Sequence, residues 1–262
     1  MSHSSGNELR NAARQALSLL DLTSLNDGDN DATIEALCRR AKTPVGTPAA
    51  VCVYPGFVAT AKRALSAYGL GDSVNVATVA NFPNGDGEVM EVAREVRAAV
   101  ASGADEVEVV FPYRALMAGN EEQGHDLVDA CKSVCAGATL KVILETGELH
   151  DPALIRRAGE LAIEAGADFL KTSTGKVPVN ATLESAEILL SLIRDTAPEV
   201  GFKAAGGVRS AEEAQAYLQL ATRLMGSDWL TPARFRFGAS SLLDDLLVTL
   251  GVAIAQDEGD GY

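Results

Sequence analysis

Two lysines lie inside segments that otherwise have the composition of buried strands. Lys171 belongs to segment 169–173 and Lys203 to segment 201–205. Parallel strands are covered on both faces, so a lysine within one needs a route to solvent, a partner or a role in catalysis. Neighbouring cations in a partly desolvated pocket lower each other's pKa, which can make a lysine nucleophilic near neutral pH. Such a neutral amine could attack a carbonyl carbon; a strand-end lysine that simply reaches solvent is the alternative.

A carboxylate in another predicted strand could serve these lysines. Segment 106–111 alternates between polar and apolar residues, which places Glu106 and Glu108 on one face. The apolar face suits a helix layer, so Glu108 should point inward, where it needs a lysine or water partner. Glu108 could transfer protons or act as a structural counter-ion. We interpret Lys141 and Glu145, on one face of the next strand, as charge balance.

Two glycine- and serine-rich segments indicate an anion site. Segments 206–210 and 238–241 each follow a predicted strand and begin a predicted helix. Helix N-termini offer N–H groups and a positive dipole end, and glycine permits close backbone approach. Barrels often bind phosphate with the loops after strands seven and eight, where these segments fall. Gly175 and Lys176 could add a further loop and a cation, although a glycine pair alone is also typical of a plain turn.

Short β-branched runs alternate with amphipathic segments along the whole chain. Strands separated by helices indicate a parallel sheet, and eight such units indicate a closed barrel. The sequence therefore predicts one domain, residues 1–262, folded as a (β/α)₈ TIM barrel with an extra N-terminal helix and a flexible tail from about residue 252. The predicted strands are 20–23, 50–54, 74–79, 106–111, 140–146, 169–173, 201–205 and 235–238. The predicted helices are 8–19, 31–41, 57–68, 88–102, 121–135, 152–165, 185–195, 211–220 and 242–250.

Composition narrows the class of protein. The chain has 262 residues and a formal net charge of −14, from 22 basic and 36 acidic residues. Nucleic-acid affinity depends on cationic contacts to phosphate, so we expect no nucleic-acid partner. No apolar run reaches the roughly 20 residues of a membrane span, and the N-terminus does not resemble a secretory signal. The dispersed cysteines and histidines lack zinc-site spacing, so we expect a cytoplasmic protein without metal or cofactor.

Taken together, the motifs resemble deoxyribose-phosphate aldolases, especially their enterobacterial-type branch. The resemblance extends from about residue 8 to the C-terminal tyrosine and rests on segments 21–26, 107–120, 145–148, 171–176, 201–203, 206–209 and 237–241. It implies a metal-independent class I aldolase that interconverts 2-deoxy-D-ribose 5-phosphate with D-glyceraldehyde 3-phosphate and acetaldehyde. It further implies a homodimer that functions in deoxyribonucleoside catabolism.

The resemblance also implies roles for individual residues. Lys171 matches the Schiff-base lysine, and Lys203 matches the second lysine that perturbs it and helps to move protons. Glu108 matches a proton-relay position that is often aspartate in the family, and Ala204 replaces a common proline. Tyr262 matches a C-terminal tyrosine that enters the site to assist proton exchange. The positions that match substrate- or phosphate-binding residues are Asp21, Thr23, Cys52, Thr174, Gly175, Lys176, Gly206, Gly207, Arg209, Gly238, Ser240 and Ser241.

Two alternatives remain open at this point. One is another lysine-dependent enzyme of phosphosugars, such as a transaldolase or a related aldolase. The other is a catalytically impaired barrel that only binds phosphosugars, because Glu108 departs from the family pattern. Products formed from deoxyribose 5-phosphate distinguish the first alternative, and ligand-induced thermal stabilisation without turnover would support the second.

Overall fold

Eight parallel strands close into a barrel in which β1 pairs with both β2 and β8. The computed structural model describes residues 2–253, with side chains from residue 6 onward. This order of parallel strands with intervening helices confirms the predicted TIM barrel. The strands are β1 Leu20–Thr23, β2 Ala50–Val53, β3 Asn75–Ala80, β4 Glu106–Val110, β5 Thr139–Ile143, β6 Phe169–Lys171, β7 Gly201–Ala205 and β8 Phe235–Ala239.

Helices connect successive strands and cover the outside of the barrel. The predicted N-terminal helix is present as α1, which packs against the last two helices, α10 and α11. No helix within residues 2–253 is long and apolar enough to cross a bilayer. The helices are α1 Ser2–Ser18, α2 Asp31–Arg40, α3 Val58–Ala67, α4 Val89–Ala101, α5 Tyr113–Met117, α6 Glu121–Val134, α7 Thr146–Leu149, α8 Pro152–Glu164, α9 Leu183–Thr196, α10 Ala211–Met225 and α11 Leu242–Thr249.

Local sequence signals account for most helix boundaries. Asn30, Thr182 and Ser210 form capping boxes at the starts of α2, α9 and α10, where each side chain accepts a backbone N–H of the first turn. Asp151 caps α8, and Pro152 follows at the first helical position, where a missing N–H has no cost. The two short helices α5 and α7 were not predicted, because four or five residues are too few to show a helical period.

Two predicted strands end at least two residues earlier than expected. The segment predicted as 140–146 leaves the sheet at Ile143, since Glu145 has left-handed backbone angles and Thr146 begins α7. The segment predicted as 169–173 forms a strand only to Lys171. Both corrections fall at the carboxyl ends of strands, where the chain turns from the barrel wall into the loops of the catalytic face.

Side chains alternate along each strand between the layer of helices outside the barrel and the inside of the barrel. Outward-facing residues such as Val107 and Phe202 belong to the large apolar core shared with the helices. Inside the barrel, Cys52, Ala77 and Val79 form a separate small apolar cluster on β2 and β3. Charged side chains from the other strands also lie inside the barrel, and the unusual residues of the sequence meet there.

Candidate active site

Strand register brings the two unusual lysines side by side. Lys171 on β6 is paired with Lys203 on β7, and the carboxylate of Glu108 bridges them from β4. Lys171 Nζ lies 2.6 Å from Glu108 Oε2, and Lys203 Nζ lies 2.6 Å from Glu108 Oε1. The lysines are 3% and 0% exposed, respectively, so neither is a strand-end lysine that reaches bulk solvent.

The bridge belongs to a larger ionic network that fills the barrel. Asp21 accepts from Lys203 at 2.6 Å and from Lys141 at 2.7 Å, and its second oxygen accepts from Arg236 at 2.6 Å. Glu106 is bound by Lys141 at 2.5 Å and by Arg236 at 2.8 Å. The interpretation of Lys141 as charge balance agrees with this geometry. Arg236 was missed, although it interrupts an apolar strand just as the two lysines do.

The network holds one more cationic side chain than it holds carboxylates. The side chains are those of Asp21, Glu106, Glu108, Lys141, Lys171, Lys203 and Arg236. With every group ionised, four positive and three negative charges would be buried together, and an uncompensated buried charge is costly. If one lysine is neutral, the charges cancel.

Lys171 is the lysine of the network that loses its proton most readily, because the pKa values of Lys141 and Lys203 are raised. Burial lowers the pKa of Lys171 below its ordinary value, and nearby Lys203 lowers it further against the opposing effect of Glu108. Burial also disfavours charge on Lys203, but Asp21 and Glu108 outweigh that effect and raise the pKa of Lys203. The expectation that the two lysines lower each other's pKa therefore holds for Lys171 and is wrong for Lys203, because only Lys203 lies between two carboxylates.

Lys171 is also the network residue that reaches a cavity at the carboxyl ends of the strands. This cavity has a volume of about 260 Å³ and is bounded by the loops after β1, β6, β7 and β8. Its lining includes ten further residues that were predicted to bind the substrate or its phosphate. They are Thr23, Thr174, Gly175, Lys176, Gly206, Gly207, Arg209, Gly238, Ser240 and Ser241.

Anion-binding groups gather at the glycine-rich loops of this cavity. Gly175, Gly206 and Gly207 have φ angles of +84°, +76° and +90°, which disfavour any side chain. Ser241 precedes α11, and its hydroxyl makes no capping hydrogen bond to that helix. These loops expose backbone and hydroxyl groups next to the cations Lys176 and Arg209, as an anionic ligand requires.

The two predicted helix N-termini differ. At α10 the first backbone N–H groups are already bound: Arg209 and Ser210 donate to Glu213, and Ala211 donates to Asp245 at 2.7 Å. This helix start therefore does not offer the free N–H groups expected of it, because acidic side chains of the protein occupy them. The contribution of this loop to the cavity comes from residues before the helix.

Three predicted binding residues lie elsewhere or have other partners. Asp21 and Cys52 are completely buried and lie outside the cavity lining. Asp21 belongs to the ionic network, and the thiol of Cys52 lies 3.9 Å from Glu108, with burial raising its pKa to about 12. The Thr174 hydroxyl donates to Glu145 at 2.6 Å. Tyr262 lies outside the described residues.

Some lining residues were not predicted from the sequence. Asn180, Leu25 and Asn26 border the same cavity, and the Asn180 side-chain oxygen has no hydrogen-bond partner among the described residues. Each lies in a loop at the carboxyl ends of the strands, which is the only signal that the sequence offered for them.

Comparison with known proteins identifies the family of this chain. Residues 15–247 match the sequence pattern of DeoC/LacD family aldolases. The chain belongs to this family. This aldolase is similar to a candidate deoxyribose-phosphate aldolase from Toxoplasma gondii ME49. The two share 27% identity with a TM-score of 0.87, and the match covers 94% of this chain and 96% of that one. A candidate deoxyribose-phosphate aldolase from Coccidioides immitis shares 28% identity with a TM-score of 0.79, and the match covers 90% of this chain and 86% of that one.

The fold extends to more distant proteins. The tetrameric deoxyribose phosphate aldolase of Aeropyrum pernix has 24% identity, a TM-score of 0.72, and coverage of 92% of this chain and 96% of its own. Since aldolases cleave or form carbon–carbon bonds, the family assignment makes this chain a lyase. Within residues 2–253 we find no group of three or more His, Cys, Asp or Glu side chains arranged to hold a metal ion.

A larger cavity lies at the opposite end of the barrel of this aldolase. It has a volume of about 640 Å³, and Glu106 and Arg236 belong to its lining. Both side chains are already bound to each other within the ionic network, at 2.8 Å. Active sites of TIM barrels lie at the carboxyl ends of the strands, so the smaller cavity with Lys171 is the candidate site.

The lowered pKa of Lys171 predicts the pH dependence of the reaction. Only the neutral amine attacks a carbonyl, so kcat/KM should rise with pH and level off above the pKa of Lys171. The midpoint should lie below the ordinary lysine value of 10.5. Glu108→Gln should move the midpoint lower still, since the carboxylate that opposes the shift is lost. A midpoint at or above 10.5 would contradict the charge assignment.

Arg236→Met should strongly destabilise the fold. It leaves Asp21 and Glu106 with one cation fewer, and breaking a buried ion pair from one side costs about 3–5 kcal/mol of unfolding free energy. Urea denaturation would measure the change. Arg234→Met, two residues earlier on the same polypeptide, is the matched control, because Arg234 lies outside the network. Equal destabilisation by the two substitutions would show that the network is not the cause.

Proposed function

We propose that this aldolase is a class I enzyme that interconverts 2-deoxy-D-ribose 5-phosphate with D-glyceraldehyde 3-phosphate and acetaldehyde. The observation that carries the proposal is a single cavity that joins the lysine with a lowered pKa to loops suited to an anion. A phosphosugar aldehyde has both complementary features, a carbonyl for the amine and a phosphate for the loops.

Bond formation begins at the Lys171 amine. Neutral Nζ attacks C1 of the open-chain sugar to give a carbinolamine, which loses its oxygen as water and becomes an iminium ion. The proton for the departing water comes from the Lys203 ammonium, with the hydrogen-bonded Glu108 carboxylate as the relay. The resulting positive charge remains on the Lys171 nitrogen, within reach of the Glu108 carboxylate at 2.6 Å.

The iminium ion then serves as the electron sink for carbon–carbon cleavage. The C2–C3 bond breaks, its electron pair forms an enamine with C2, and the C3 hydroxyl loses its proton as C3 becomes the aldehyde of glyceraldehyde 3-phosphate. Glu108, Lys203 and water form the relay for that proton. The enamine takes a proton at C2, with Tyr262 assisting, and hydrolysis releases acetaldehyde and neutral Lys171.

The anion-binding loops orient the sugar through its phosphate. Holding that group fixes C1 near the lysine and converts binding energy into orientation. Lys176 and Arg209 supply positive charge there, while Ser240 and Ser241 supply hydroxyl groups at the start of α11. Unphosphorylated 2-deoxyribose lacks the group that these loops bind, so it should be a poor substrate.

The test is a retro-aldol assay on 2-deoxyribose 5-phosphate in the presence of a chelator. We expect glyceraldehyde 3-phosphate and acetaldehyde to form in equal amounts at the rate measured without chelator. Complete loss of activity in chelator would point to a metal-dependent aldolase. A different product pair would favour the related lysine-dependent enzymes, and ligand-induced stabilisation without turnover would favour an impaired barrel.

The resemblance of the motifs and the composition of the chain support the broader parts of the proposal. We assign the enzyme to the enterobacterial-type branch, to the cytoplasm and to the breakdown of deoxyribonucleosides, and we expect a homodimer without nucleic-acid or membrane partners. Sedimentation equilibrium would test the subunit number. A monomer or a tetramer at micromolar concentration would overturn the dimer.

A further inference from the structure

Glu145 occupies an unusual place at the end of β5. Its backbone angles, φ 58° and ψ 56°, are left-handed, and its side chain is completely buried. Few residues other than glycine adopt such angles, and they persist where the surrounding structure holds them, commonly at functional sites. The predicted role of Glu145 in charge balance finds no support in direct contacts, because the ionic network contains no contact to it among the described residues.

Backbone pairing shows why the chain turns at this residue. Leu144 N–H donates to the Lys171 carbonyl, and Thr146 N–H donates to the Thr172 carbonyl, each at 2.9 Å. Between these two hydrogen bonds, the donor moves by two residues along the chain after β5, while the acceptor moves by only one residue along the chain after β6. Two residues on one strand opposite one residue on its partner is the arrangement of a β-bulge. Glu145 is the extra residue, and bulges of this kind redirect a side chain next to a site.

The Glu145 carboxylate holds the next loop with both oxygens. Oε1 accepts from the Thr174 backbone N–H at 3.1 Å, and Oε2 accepts from the Thr174 hydroxyl at 2.6 Å. The same hydroxyl accepts from the Lys176 backbone N–H at 3.0 Å. Glu145, Thr174 and Lys176 thereby form one chain of hydrogen bonds that leads from the bulge to the anion-binding end of the cavity.

We propose that Glu145 is a positioning residue that presets the loop 174–176 for the phosphate of the substrate. The inference rests on the proposed function for the identity of the sugar. The binding of an anion by this loop does not depend on that function. Glu145 itself does not line the cavity; Thr174, Gly175 and Lys176 do. A loop fixed in advance binds its ligand without a further ordering cost, so loosening it weakens phosphate binding and leaves the lysine chemistry in place.

Glu145→Gln tests the proposal with little change in size. Thr174 offers a backbone N–H and a hydroxyl, and glutamine has a single acceptor oxygen, so the hydroxyl contact is either lost or reversed, and the charge-assisted bonds of the carboxylate are lost in both cases. We expect KM for 2-deoxyribose 5-phosphate to rise about tenfold, with kcat changed less than about threefold. The preference for this substrate over 2-deoxyribose, expressed as a ratio of kcat/KM values, should fall by the same factor as KM rises.

A double-mutant cycle shows whether Glu145 acts through Thr174. Thr174→Val removes the hydroxyl that links Glu145 to Lys176, so Glu145→Gln should raise KM much less in that background than in the wild type. Additive effects would overturn the proposal, as would an unchanged KM or an equal loss with both sugars. If Glu145→Gln does not fold, Thr174→Val alone must reproduce the fall in the preference for the phosphorylated sugar.

Binding of inorganic phosphate separates this inference from the proposed function. Calorimetric titration of the wild type and of Glu145→Gln needs no turnover, and we expect the dissociation constant to rise about tenfold in the variant. If the wild type cleaves no deoxyribose phosphate but the variant still binds phosphate more weakly, the proposed reaction fails and the positioning role stands. Equal affinities would reject the positioning role whatever the reaction.

Discussion

Lys171→Ala should lower kcat for the cleavage of 2-deoxyribose 5-phosphate by at least about a thousandfold, because it removes the nucleophile itself. The other two lysines of the ionic network are poor replacements, because Lys203 and Lys141 are each bound between carboxylates, which raise the pKa of both. The remaining groups can still bind the phosphosugar, so the substrate should continue to raise the melting temperature of the variant.

Covalent trapping identifies the same residue directly. Borohydride added with acetaldehyde should leave an ethyl group on Lys171 of the wild type, located by peptide mass spectrometry. Lys171→Ala should acquire no adduct in the peptide that spans β6. Lys42→Ala is the control, because Lys42 is an exposed lysine that contacts the Tyr68 carbonyl. Full activity of Lys171→Ala, or an adduct on another lysine, would exclude the proposed mechanism.

Glu108→Gln should produce the second largest loss. Its carboxylate contacts three lysines, at 2.6 Å from Lys171, 2.6 Å from Lys203 and 3.1 Å from Lys141. An amide carries no charge and turns a donor toward one of these ammonium groups. Removing a group that relays protons typically costs about 10²–10⁴-fold in rate, so we expect kcat to fall by that factor while KM changes little.

The control for this prediction is Glu108→Asp, which restores the residue type common in the family. Aspartate keeps the charge but is one methylene shorter, so it cannot contact the amino groups of both Lys171 and Lys203 at the present distances. We expect kcat to fall by less than about a hundredfold, because the carboxylate is misplaced rather than missing. Folding of both variants is checked by urea denaturation. A Glu108→Gln enzyme with wild-type kcat would return Glu108 to the role of a structural counter-ion.

The longer side chain of Glu108 has a clear structural consequence. Spanning from β4 to both lysines, it joins the reactive pair to Lys141 and hence to Asp21 and Arg236. The protonation state of Lys171 therefore depends on groups on several strands of the barrel. Because of this coupling, an uncharged residue at this position would disturb the charge balance of the whole barrel interior.

Periodicity and residue type in the sequence were sufficient to predict the barrel and the inward direction of Glu108. Strand alternation is a local property, so a charged residue within an apolar segment can be recognised without knowledge of its partners. The same holds for the loops with Gly175, Gly206 and Ser240, since glycine and serine after a strand already limit how the backbone can turn. The extended ends of β5 and β6 were the main errors.

Only the tertiary structure decided which charges meet. Lys203 and Asp21 are separated by 182 positions in the chain, yet their contact at 2.6 Å is what makes the pKa of Lys203 rise while that of Lys171 falls. Likewise, nothing local shows that Asp245 occupies the Ala211 N–H at the start of α10 or that Glu145 is turned toward Thr174. Electrostatic energies depend on distances through space and on burial, and neither quantity exists until the barrel closes.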